Sequence, residues 1–270
     1  MKKHALALGV ALWAAGSGLA LAKEHAEHGA HAPAAAHAHT AHWGYEGATG
    51  PAHWGDLDPG FSTCKTGRNQ SPVNLDDTLA VGTVGLPAVD IAYGTPALNV
   101  INNGHTVQVN YPAGSYIKVG GHRFDLLQFH FHTPSEHQHN GENLPMEMHL
   151  VHKDAHGNLA VIGILYRTGA ENPELQKLID HLPADIGKAH THEQVHIDLT
   201  KFFPHDRRFY KYSGSLTTPP CSEGVYWMVF RQPIEASEAQ IAALQKLLGH
   251  NNRPVQPHYA RHMLKSWSGQ

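Results

Sequence analysis

The run Gln128-Phe129-His130-Phe131-His132 decides how the chain is read. On a β-strand alternate side chains share a face, so Gln128, His130 and His132 point one way while Phe129 and Phe131 point the other. Two imidazoles then stand over a polar cleft, and two phenyl rings anchor the strand in a core. A second run, Met146-Glu147-Met148-His149-Leu150-Val151, repeats the plan with Glu147, His149 and Val151 on one face. A His-x-His pair by itself is ordinary on a surface or in a core. A third histidine with its own carboxylate on another strand shifts the reading toward a metal. Zinc catalysis needs three protein ligands and one open position for water, and three neutral imidazoles leave the ion its full charge. Outer-shell acceptors, here Gln128 and Glu147, would fix the ligand tautomers.

Outward from these runs, short β-rich stretches alternate with Gly, Pro and Asn. They are Val100-Ile101, Thr106 to Tyr111, Tyr116 to Val119, Phe124 to His132, Met146 to His152, Leu159 to Arg167 and Val225 to Arg231. His156-Gly157-Asn158 reads as a hairpin turn. Helices are few. Asn172-Pro173 can cap and start one that carries Leu175, Leu178, Ile179 and Leu182 on a single face. Ser237 with Gln240 forms a capping box before Ile241, Leu244, Leu247 and Leu248, and Gly249 is a natural stop. The expected fold class is mainly β (α+β): a single domain with a large, mostly antiparallel, twisted central sheet and few peripheral helices.

The N-terminus has a basic start at Lys2-Lys3, an apolar stretch from Ala5 to Leu21, and Ala20-Leu21-Ala22 before Lys23. That is the layout of a signal peptide over 1–22, so the mature chain is expected to be exported, periplasmic or secreted, with no membrane span after processing. An uncleaved anchor stays open, although the apolar run is short for a bilayer. Residues 23–41 are almost only Ala, His, Gly and Glu, and cannot bury enough surface to offset their ordering entropy. They read as a disordered tail, a solvated linker or a gatherer of zinc, ahead of a catalytic domain over 42–270. Two cysteines, Cys64 and Cys221, would become a disulfide in an oxidising compartment; two buried free thiols are the alternative. A formal net charge of -3 gives no reason to expect binding to nucleic acid or to an anionic membrane.

The metal-binding runs, with Ser135-Glu136-His137 between them, resemble the metal region of the α-class carbonic anhydrases. The likeness continues through His42-Trp43-Gly44-Tyr45, Asn69-Gln70-Ser71-Pro72-Val73-Asn74, Asn102-Asn103-Gly104-His105, Tyr212 to Cys221 and Asn251 to Gln256, and so spans roughly residues 42 to 265. It implies Zn2+ held by His130, His132 and His149, with Gln128, Glu147 and the backbone carbonyl of Asn251 as outer-shell partners. It implies reversible hydration of carbon dioxide to bicarbonate and a proton by attack of zinc-bound hydroxide, with a side activity on activated esters. Thr217 would accept a hydrogen bond from the hydroxide and pass its own to Glu136. Val151, Val161, Leu216, Val225 and Trp227 match the apolar carbon dioxide pocket, and His105 matches the proton shuttle. Tyr45, Asn103, Gln108 and Thr218 match positions that order the intervening waters; Gln108 is longer than the asparagine common in animal members. Similar bacterial members are often homodimers. The other class of reading is a non-catalytic zinc-storing envelope protein, supported mainly by the tail. Retention of all three ligands with Thr217 and Glu136 argues for the enzyme.

Overall fold

The structure is a computed structural model that describes residues 41–267. The expected signal peptide over 1–22 and, apart from Ala41, the expected tail over 23–41 lie outside the described residues.

Seven strands position the site: β1 (Ala97–Asn102), β2 (Val107–Asn110), β3 (His122–His132), β4 (Met146–Lys153), β5 (Leu159–Thr168), β6 (Phe209–Ser215) and β7 (Glu223–Phe230). They belong to a 13-stranded sheet whose main path runs Ala189–His196, β1, β2, β3, β4, β5, β7, β6, Leu264–Lys265, Val81–Gly82. Neighbours from Ala189–His196 to β5 are antiparallel, as are β7 and β6. β5 departs from that pattern by pairing parallel with β7. The expected hairpin turn is present between β4 and β5, where the Asp154 carboxylate accepts from the His156 and Asn158 amides at 2.8 Å each.

β1, one strand in from the edge, alternates between half-buried and buried positions, whereas β4 is buried at every position but its last. A strand covered on both faces reads as a continuous rather than an alternating pattern. One face packs Phe129, Phe131, Met148, Leu150, Ile162 and Met228 against the helices α1 (Pro173–Ile179) and α2 (Glu238–Leu248). The other packs Val151, Val161, Leu165, Tyr212, Trp227 and Val229. The period of two along each strand therefore divides the histidine face from the helix-covered face. Phe129 is fully buried, and its truncation to alanine should cost roughly 3–5 kcal/mol.

Both helices start as the sequence predicts. The Asn172 side chain accepts from the Glu174 and Leu175 amides, and Ser237 with Gln240 forms the full capping box. Gln240 also donates to the Asn172 carbonyl at 2.8 Å and accepts from its amide at 2.9 Å, so the start of α2 is tied to the start of α1. α1 ends at Ile179, one turn before Leu182.

Candidate metal centre

Strand register brings the three predicted ligands together. His149 on β4 is the direct ladder partner of His130 on β3, and Glu147 is the partner of His132. The ligand nitrogens of His130, His132 and His149 all lie within 4.8 Å of one another. Each ring has its other nitrogen near an oxygen. His130 Nδ1 donates to Gln128 Oε1 at 2.8 Å, and His132 Nδ1 donates to the Asn251 carbonyl at 2.7 Å. His149 Nε2 stands 2.9 Å from Glu147 Oε1, close enough to pair although its N–H is not aligned on the oxygen. The nitrogens left over are His130 Nε2, His132 Nε2 and His149 Nδ1.

His132 Nε2 is buried with no hydrogen-bond partner among the described residues. An unsatisfied buried polar atom costs about 1–3 kcal/mol, which an ion at that point would offset. Burial holds His130 well below the ordinary histidine range, and the neighbouring His132 and His149 rings act in the same direction. Burial also holds His132 down, against the nearby Glu136 carboxylate. Burial lowers His149 too, but the Glu147 and Glu136 carboxylates outweigh it and raise that ring overall. Three imidazole nitrogens converging under a carboxylate-anchored outer shell fit a borderline divalent ion such as zinc.

Glu147 is saturated. Its Oε2 accepts from the Glu136 and His137 amides at 2.9 and 2.8 Å, and its Oε1 accepts from His137 Nδ1 at 2.7 Å. Burial works against the charge, yet the His137 and His149 imidazoles hold this carboxyl well below its usual range. His137 Nε2 lies 2.7 Å from Tyr212 Oη, which donates to Ser71 Oγ at 2.9 Å. No sequence pattern assigns a role to His137 or Tyr212, because the His137–Glu147 and His137–Tyr212 contacts span 10 and 75 residues and follow from no local pattern.

The remaining predicted residues fall into two groups around the histidines. His130, His132, Tyr45, Asn103, His105, Gln108 and Thr218 line one small cleft of about 130 Å³. His105 lies flat on Trp43, with ring centroids 3.7 Å apart and planes 7° from parallel. Burial, and then the nearby His42, lower the His105 pKa. Gln108 donates from Nε2 to Asn110 Oδ1 at 2.7 Å. On the other side, Val151, Val161 and Trp227 are successive partners across β4, β5 and β7, with Val225 buried in the same cluster and Leu216 packed against it. The Trp227 ring centroid is 4.8 Å from that of His149, so an apolar wall adjoins the imidazoles.

Thr217 is buried on the turn between β6 and β7. No hydrogen bond joins its hydroxyl to Glu136 among the described residues, and Glu136 Oε2 is buried without a partner, 3.5 Å from His132 Nε2 and 3.8 Å from His149 Nδ1. Glu136 Oε1 accepts from the Arg253 amide at 2.8 Å. The guanidinium of Arg253, itself buried, donates to Gln70 Oε1 and to the Ser71 and Cys64 carbonyls. Sequence reading gave Arg253 no role, because a buried arginine is identified by its partners and not by its neighbours in the chain. Cys64 and Cys221 form the expected disulfide. Its cluster adjoins both the arginine and the Thr217 turn.

The profile of the eukaryotic-type carbonic anhydrases matches residues 49–267. The chain is 49% identical over 224 residues to the carbonic anhydrase of Nostoc sp., covering 82% of this chain and 85% of that one. It is 42% identical over 230 residues to the carbonic anhydrase of Neisseria gonorrhoeae, covering 84% and 89%. The solved α-carbonic anhydrase of Thermovibrio ammonificans, in complex with the inhibitor sulfanilamide, superposes with a TM-score of 0.80 at 48% identity, over 83% of this chain and 99% of that one.

Proposed function

The chain belongs to the eukaryotic-type, or α-class, carbonic anhydrase family, and from that premise we propose that it hydrates carbon dioxide reversibly to bicarbonate and a proton with zinc held by His130, His132 and His149. The observation that carries the reading is the convergence of those three ring nitrogens within 4.8 Å beside an apolar wall. Zinc, when bound, supplies a Lewis acid that acidifies water.

The chain's own residues do the rest. Gln128, Glu147 and the Asn251 carbonyl hold the tautomers that present the three lone pairs. Val151, Val161, Leu216, Val225 and Trp227 offer carbon dioxide an apolar surface, which suits a substrate with no dipole. Thr217, buried on the turn before β7, would accept a hydrogen bond from the nucleophilic water and turn its own hydroxyl proton toward Glu136 Oε2, which has no other partner among the described residues. His105, at the cleft, takes the proton outward through waters ordered by Tyr45, Asn103, Gln108 and Thr218. The same nucleophile gives a weak side activity on activated esters.

Export to the periplasm or cell exterior is part of the proposal. It is supported by the layout of residues 1–22 and by the Cys64–Cys221 bond. No helix among the described residues is long and apolar enough to cross a membrane.

The test is stopped-flow hydration of carbon dioxide on the native enzyme, on enzyme treated with a zinc chelator, and on His149→Ala. Loss of hydration in the last two, with zinc restoring only the first, is the expected result. Full hydration by His149→Ala would overturn the site.

A further inference from the structure

Far along the sheet from the centre, the edge strand Ala189–His196 carries a second group of imidazoles. His190 and His192 alternate onto one face, opposite Val100 and Leu98 of β1. His181 meets His192 from the turn that follows α1. The His181 and His192 ring centroids are 4.6 Å apart with planes at 67°. We propose that His181, His190 and His192 form a second, labile site for a divalent transition-metal ion of the zinc or nickel type.

Two observations carry this. First, two of the rings are anchored as the catalytic ligands are. His181 Nδ1 donates to the Lys177 carbonyl at 2.8 Å, which leaves the lone pair on Nε2. His190 Nε2 donates to Asp185 Oδ1 at 2.6 Å, which leaves the lone pair on Nδ1. A backbone carbonyl and a carboxylate on the far nitrogens are the outer-shell partners that metal-bound histidines use. Second, no side-chain hydrogen bond holds His192 among the described residues, so turning its ring toward an ion gives up only its edge contact with His181.

The trio is more open than the catalytic one. Its nitrogens do not lie within 4.8 Å of one another, as those of His130, His132 and His149 do, so it closes on an ion only after side-chain rotation. That openness makes the site labile. Occupancy would staple the end of α1 to the edge strand.

The experiment is histidine acylation by diethyl pyrocarbonate on the full-length, zinc-loaded chain, with and without added Zn2+ or Ni2+, mapped peptide by peptide. Mapping separates this trio from the histidines of residues 23–41. The expected result is that added ion slows acylation of His181, His190 and His192 together, by fivefold or more. In His192→Ala the protection of His181 and His190 is lost, while carbon dioxide hydration stays at the native rate. His181→Gln, checked like the first variant for a native circular dichroism spectrum, should lose protection of His190 and His192 in the same way. Unchanged reactivity of His181 on adding either ion to the native chain would overturn the proposal. So would protection that persists in both variants.

Discussion

The carboxylate of Glu147 occupies the space above Gly163: a methyl group on Gly163 would stand 2.9 Å from Glu147 Oε1 and 3.1 Å from Val229. Gly163 is also the ladder partner of His149, so a missing side chain on β5 makes room for the acceptor beside a proposed ligand on β4. Gly163→Ala should therefore displace Glu147, costing about 1–3 kcal/mol of stability by overpacking and weakening zinc retention. Urea unfolding and chelator competition read the two effects. Native values for both would show that the strand gives way freely.

Glu147→Gln tests the acceptor directly. The carboxylate serves two backbone amides with one oxygen and faces two imidazoles with the other. An amide can present only one oxygen, so either the amides of Glu136 and His137 or the two rings lose their acceptor. Zinc affinity, measured by chelator competition, should fall about 10–100-fold, a range set on zinc enzymes that include this family.

His105→Ala should separate proton export from the reaction with carbon dioxide. We expect kcat to fall about 100-fold, the low end for a positioned acid–base group, while kcat/KM stays near native and imidazole buffer restores kcat. As the proposed shuttle, His105 would accept a proton only when neutral. Because burial and His42 lower its pKa, the native kcat should reach its plateau at a lower pH than a free histidine, near 6.5, would allow. A midpoint above that value contradicts the environment seen around His105.

Removing the disulfide should harm both stability and turnover. Cys64 and Cys221 are 157 residues apart, and loss of such a crosslink costs about 2–5 kcal/mol. The Cys64 carbonyl accepts from Arg253, whose amide holds Glu136, and Cys221 closes the turn that carries Thr217. A Cys64→Ser/Cys221→Ser double variant that is still folded should therefore turn over more slowly. Native turnover in the folded variant would mean that the turn holds its shape unaided.

Acid should remove the stabilisation held by Asp77. Burial raises this carboxyl, but hydrogen bonds from Arg231, Tyr210 and Asn140 hold it at about 2. A pKa depressed on folding adds stability that is full above the unfolded value, about 3.9, and is lost as pH falls through the folded one. Tm should drop between about pH 4 and pH 2. Asp77→Asn should lower Tm at neutral pH and flatten that part of the curve.

The alternation in Gln128-Phe129-His130-Phe131-His132 and the pattern around Glu147 and His149 are legible in the sequence, and the structure brings His130, His132 and His149 together with Gln128 and Glu147 beside them. The two helix starts were equally legible, because Asn172-Pro173 and the Ser237–Gln240 box act within one turn of chain. The strands Ala189–His196 and β6 were not read as strands. The first is polar along an edge, and the second carries Gly214 next to its last residue. Nor could the parallel pairing of β5 with β7 be read, since it joins segments some 60 residues apart.

By itself the sequence determined which side chains share a face, because a strand's period of two and a helix cap are properties of consecutive covalent units. Only the tertiary structure decided which faces meet. The register that sets His149 against His130, the space at Gly163, the Arg253 contacts and the His181–His192 approach all depend on how distant segments pack. Close packing fixes such contacts through the volume and hydrogen-bonding needs of the whole interior, which no short stretch of chain encodes.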